Sequence, residues 1–262
     1  MSNSIPHPFH LVHESPWPIV VSVFRFGVTI GFIKIFYFFS SNLVIISLGR
    51  LLLTSFQWWR DVRREGGLLG NHSYIVELGL RSGILLFIVS EIFFFLSFFW
   101  AYFHRRLRPN VELGRGWPPL GVTPFDPLGI PLLNRIILLS SGVSVTWAHH
   151  GLIKGAHRSR VKGLSFTIVL GVYFTALQSY EYIEARFRIG DRVFGSTFYI
   201  ATGFHGLHVI VGTLFLMAAW LRLYLGNLSH GHHFIFEAAS WYWHFVDVVW
   251  LFLYIRVYWW AA

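Results

Sequence analysis

The chain has no cysteine. That excludes disulfides, thiolate-held iron–sulfur clusters and thiol nucleophiles. Charge is also scarce: 13% of residues are Asp, Glu, Lys or Arg, where soluble domains carry about 25%. With 19% aromatic residues and a mean hydropathy of +0.55, a soluble protein is excluded, and the useful unit is the apolar span rather than the globular domain. No secretory signal is expected, because "MSNSIPHPFHLVHESPWP" lacks a basic n-region and an apolar h-region. Low-complexity tracts and internal repeats are likewise missing. The net charge of +9 is scattered over short connections, with no basic stripe and no RNA-binding motif. Nucleic acid is therefore not expected as a partner, and anionic lipid headgroups are, at about 1 kcal/mol per well-placed Lys or Arg.

What the chain does have is apolar length. Seven segments, near 17–37, 42–60, 74–104, 131–153, 161–183, 193–223 and 233–257, predict seven transmembrane helices in one transmembrane domain covering 1–262. The first two are the weakest, since Arg25, Lys34 and Arg50 interrupt them and must snorkel or face protein. The sixth contains no Asp, Glu, Lys or Arg over 193–221. Between the third and fourth spans, "ELGRGWPPLGVTPFDPLGIPLL" is too rich in proline for a helix interior and predicts an extended surface lid. Lys and Arg divide almost evenly between the two sides of such a topology, so charge bias does not set the orientation.

Ionisable groups inside the spans are the functional signal, because each costs roughly 2.5–3.5 kcal/mol on insertion scales. Glu91 is the only formal charge in 84–103. Protonating a reference glutamate at pH 7 costs about 3.7 kcal/mol, comparable to burying the charge, and desolvation is expected to hold Glu91 neutral. Its neighbours one turn away are Phe87, Ile88, Phe94 and Phe95, so any partner must come from another helix. Its expected role is a hydrogen-bonded structural acid or an intramembrane proton or regulatory group.

Histidine-bearing stretches "TWAHHGL", "GFHGLHV" and "WYWHFVD" invite a haem or copper reading. A haem bundle needs paired histidines on two helices, and only His230 and His244 have the spacing. His149 and His150 are adjacent and point about 100° apart. His205 and His208 share a face but sit among glycines that suit close helix packing. No metal ligand is therefore expected from this chain. In the last span, Glu237, Trp241, His244 and Asp247 form one polar stripe, expected to be a seam against the bundle or a partner subunit, or a proton wire. Trp58 and Trp59, beside Arg60, Arg63 and Arg64, are expected as interfacial anchors and a clamp for a lipid phosphate.

Together, "HLVHESPWP", "QWWRDVRREG", "GLRSGILLFIVSEIFFF", "GWPPLGVTPFDP", "SGVSVTWAHHGL", "GSTFYIATGFHGLHVIVGT" and "HHFIFEAASWYWHFVDVVWLFLY" resemble subunit III of mitochondrial cytochrome c oxidase, in order and over nearly the whole chain. The resemblance implies an all-α membrane protein of seven helices, arranged as a two-helix and a five-helix group around a lipid-filled V-shaped cleft. It also implies an organelle-encoded, multi-pass protein of the mitochondrial inner membrane with its N-terminus in the matrix. This chain would bind no haem or copper, which lie in partner subunits. It would flank subunit I in a complex with subunit II and small accessory subunits, supporting oxygen access, proton uptake and durability in turnover. Glu91 matches the family's intramembrane glutamate; Trp59, Glu65, His72 and Arg222 match positions associated with phospholipid headgroups. An independent channel or transporter would show discontinuous helices or inverted repeats, which are not visible. A quinol oxidase relative would lack the first two helices, to which residues 1–65 correspond.

Overall fold

The computed structural model describes residues 8–67, 69–108, 116–226, 228 and 233–261. Among these residues seven α-helices follow one another: α1 (Trp17–Phe38), α2 (Asn42–Gly67), α3 (Tyr74–Leu107), α4 (Ile130–Ile153), α5 (His157–Glu184), α6 (Arg192–Tyr224) and α7 (Phe234–Leu253), the last continued by a π-helical segment, Tyr254–Trp259. Among the described residues there is no strand. Helix α2 runs on to Gly67, past the apolar segment that ends near 60. Hydropathy marks where the chain leaves an apolar slab, whereas the Arg and Glu residues that follow are good helix formers and carry the helix into the polar side.

Helices α1, α3, α4, α5 and α6 are long and apolar enough to cross a membrane on length and composition. The expected weakness of the first two spans thus holds for α2 and not for α1, which tolerates Arg25 and Lys34. Helix α7 also falls short, since Glu237, Asp247, His244 and its Trp and Tyr residues dilute its apolar content. It is nevertheless deeply enclosed by protein, with Trp243, Trp250 and Leu253 at 1% exposure or less. Residues such as Phe36, Leu86 and Val143, by contrast, are exposed, as a lipid-facing surface requires.

By packing, the chain divides into two compact units, Met1–Ser82 and Gly83–Ala262. In the first, α1 lies against α2 through small residues. A Cβ on Gly31 would stand 2.6 Å from Val44 Cγ2 and 2.8 Å from the Val44 backbone nitrogen, so only hydrogen fits and the backbones meet closely. The Trp17 indole donates to Asp61 Oδ2 at 2.8 Å, fastening the start of α1 to the end of α2.

In the second unit, α4 and α5 cross at Gly163, where a Cβ would lie 2.9 Å from the Ser144 carbonyl. Helix α3 joins through aromatic rings: Phe94 meets Phe204 of α6 edge-on at 5.1 Å, and Phe87 stacks on Tyr242 of α7 at 6.2 Å. The proline-rich connection is irregular, as expected; its residues 112–115 lie outside the described set. It is more deeply anchored than a surface lid. Trp117 donates to the Tyr102 hydroxyl at 3.2 Å and meets Phe194 edge-on, and Phe125 packs against Phe187 and Phe198. Pro131 enters the first turn of α4, where its missing N–H costs nothing.

Candidate functional site

Glu91 lies near the middle of α3, and its partner is one the sequence could not assign. His208 of α6 brings Nε2 to 2.9 Å from Glu91 Oε2. The same imidazole places Nδ1 2.6 Å from the Phe204 carbonyl. A carbonyl only accepts, so Nδ1 carries a proton, and the Nε2–Oε2 contact must hold another. That proton sits either on the carboxyl, giving a neutral acid and a neutral imidazole, or on the imidazole, giving an ion pair. Either way the two groups together are net neutral, which is how an acid is kept at this depth. Phe95 stands edge-on to the imidazole at 5.0 Å and Tyr242 stacks on it at 6.2 Å, while 20% of the Glu91 side chain and 12% of the His208 side chain remain exposed.

His205, one turn earlier, turns the other way and is fully buried. Its Nε2–H donates to the Val246 carbonyl of α7 at 3.1 Å, so the two histidines of "GFHGLHV" each serve a different neighbouring helix.

The polar stripe of α7 faces α4. His244 Nε2 is 3.4 Å from Thr146 Oγ1. A Cβ on Gly142 would be 2.5 Å from Asp247 Oδ2, so this glycine makes room for the acid. At the end of the stripe, Glu237 stands with His233 and His149 of α4, one ligand atom from each lying within 4.8 Å of the others. Sequence reasoning missed this set. His233 and Glu237 are spaced i, i+4, which was legible, but the packing of α4 on α7 was not. His230, paired with His244 by spacing, lies outside the described residues. Glu181 was missed as well: at 1% exposure it is more deeply buried than Glu91, set against the Tyr258 hydroxyl.

The aromatic and basic residues at the end of α2 are in the first unit. Trp59 is 72% exposed, and Arg63, one turn on, is exposed on the same face. Arg64 is also exposed; Trp58 is half-buried. Glu65 and His72 turn inward to a common neighbour: His10 Nε2 is 3.8 Å from Glu65 Oε2, and the His10 and His72 rings lie 5.7 Å apart. Burial, and then the adjacent His10, push the His72 imidazole below its ordinary range. Arg222 is placed in the last turn of α6, in the second unit.

This is an all-α integral membrane protein whose described spans carry an acid–imidazole pair and a polar inter-helix seam, with an exposed aromatic and basic helix end in its first unit. A family model for cytochrome c oxidase subunit III matches residues 7–262. Cytochrome c oxidase subunit 3 of Anopheles gambiae is 57% identical, and that of Drosophila melanogaster 55%, each over 262 residues and the whole of both chains. The platypus Ornithorhynchus anatinus protein of that name is 55% identical over 256 residues, 98% of both chains. The chain belongs to the cytochrome c oxidase subunit III family and is a subunit of the terminal respiratory oxidase, complex IV.

Proposed function

We propose that this chain is a non-catalytic core subunit of the oxidase of the mitochondrial inner membrane. It flanks subunit I, assembles with subunit II and small accessory subunits, and binds phospholipid but not nucleic acid. Haem and copper sit in the partner subunits, where oxygen is reduced to water at the expense of cytochrome c. The observation that carries this reading is the Glu91–His208 pair: at 2.9 Å it can hold and exchange one proton inside a span. Such a pair suits support of proton uptake and of long-lived turnover in a neighbouring subunit. The exposed, lipid-facing helices suit access of apolar oxygen through the acyl phase.

Lipid headgroup binding is assigned to Trp58, Trp59, Arg63, Arg64, Glu65 and His72 around the end of α2, and to Arg222. Exposed Trp and Arg one turn apart offer an acyl-chain platform and a phosphate donor. His72→Ala or Arg222→Ala is expected to lower the phospholipid retained by the detergent-purified oxidase and to shorten its active lifetime several-fold, with initial turnover nearly unchanged. Lipid phosphorus per haem and the decay of oxygen consumption measure this. Unchanged lipid in both variants would remove these headgroup sites.

A further inference from the structure

The set His149, His233 and Glu237 has no part in the reading above. It forms where the last turn of α4 meets the first turn of α7, within the second unit. His233 Nε2 is 3.2 Å from Glu237 Oε1, with 12% and 16% of the two side chains exposed. The His149 ring lies 6.3 Å from that of His233, tilted by 58°, and stacks near Phe236 at 5.7 Å. His149 Nε2 and His233 Nδ1 are both buried without a hydrogen-bond partner. Two half-buried imidazoles beside a carboxylate, each keeping one buried nitrogen without a partner, are an expensive arrangement unless something else completes it.

We propose that His149, His233 and Glu237 form a binding site for a divalent transition metal, zinc by preference, that ties the end of α4 to the start of α7. Two imidazoles and one carboxylate are a poor match for magnesium or calcium, which take oxygen ligands, and a good one for zinc. Three protein ligands leave the fourth tetrahedral position to water. Zinc bonds of about 2.0–2.1 Å would draw the ligand atoms to about 3.4 Å from one another, inside the present 4.8 Å spread. His233 stands at the N-cap position of α7, its carbonyl held by the Phe236 and Glu237 amides, so the adjustment falls to its side-chain torsions. His150 is exposed and is not in the set, so only one member of the adjacent pair takes part. The ion would close the polar seam of α7 at the end where both helices leave the apolar slab.

The test uses the whole oxidase in mild detergent, stripped with chelator and then equilibrated with zinc chloride over a range of concentrations. Zinc is measured by plasma mass spectrometry against haem, which reports assembly. The intact protein is expected to take up one zinc per complex more than His233→Ala or Glu237→Gln, with apparent affinity at this position falling by more than about 100-fold in either variant, since loss of even an outer-shell partner costs 10–100-fold. His233→Ala lies outside the helix and leaves the bundle core untouched. Zinc-edge anomalous scattering should place the ion between α4 and α7. Identical zinc uptake by the intact protein and both variants, or no anomalous peak there at saturating zinc, would overturn the proposal.

Discussion

Replacing His208 by Ala is expected to turn the Glu91 carboxyl into a free, protonated acid and to destabilise the bundle by about 1–2 kcal/mol, the range of interhelical hydrogen bonds in membranes. The imidazole is the polar partner that α6 presents to Oε2, at 2.9 Å, and its removal leaves aromatic rings around the acid. In infrared difference spectra a carboxylic C=O band should appear or sharpen at neutral pH. Glu91→Gln behaves differently, because its amide can still donate to Nε2. It should assemble, reduce oxygen at nearly the initial rate, and fail in proton uptake or in durability during turnover. A hydrophobic carbodiimide should modify Glu91 in preference to a water-soluble one. Equal labelling by both reagents, with no carboxyl band in His208→Ala, would mean that Glu91 is a solvated carboxylate and the shared-proton account is wrong.

The largest loss of stability is expected at Trp243. Its ring is fully buried and reaches three other helices. The indole donates to Ser141 Oγ of α4 at 2.8 Å. A Cβ on Gly171 of α5 would lie 2.6 Å from Trp243 Cη2, and one on Gly212 of α6 3.0 Å from Cε3. Trp243→Ala should cost about 3–5 kcal/mol, the usual range for a large aromatic removed from a packed core. Trp243→Phe should cost about 1–2 kcal/mol, from the lost hydrogen bond and the smaller ring. Gly171→Leu should fail for the opposite reason, by overfilling the site. Thermal inactivation of the purified oxidase, and the amount of this subunit retained in it, rank the variants. If Trp243→Ala matches the intact protein in both, the ring is not the point on which α4 to α7 lock.

Glu91 shows where reading a sequence stops. Its place in an apolar span and its lack of a same-helix partner were legible, because they depend on hydropathy and on spacing along one helix. His208 was legible only as a packing histidine, since i, i+3 spacing gives it the same face as His205. In the fold the two diverge, one to Val246 and the other to Glu91. The α7 stripe was likewise visible as a stripe, while the identity of α4 as the helix it faces was not. The proline-rich connection was read correctly as non-helical. Its depth was misjudged because Trp117 and Phe125 carry no sign of the pockets that receive them.

Composition and spacing along the chain suffice to make this a multi-span helical membrane protein without thiol chemistry, and its ordered motifs suffice for its family. Those properties follow from local composition: apolar runs must satisfy their backbone hydrogen bonds within the segment, and in lipid only a helix or a closed barrel does so. Which helices touch follows only from the folded chain, and with it that Glu91 meets His208, that Gly142 gives way to Asp247, and that His149 meets His233 and Glu237. In a bilayer the hydrophobic effect does not choose among helix faces. Close packing at small residues and the pairing of the few polar groups choose instead, and both depend on partners far away in the chain.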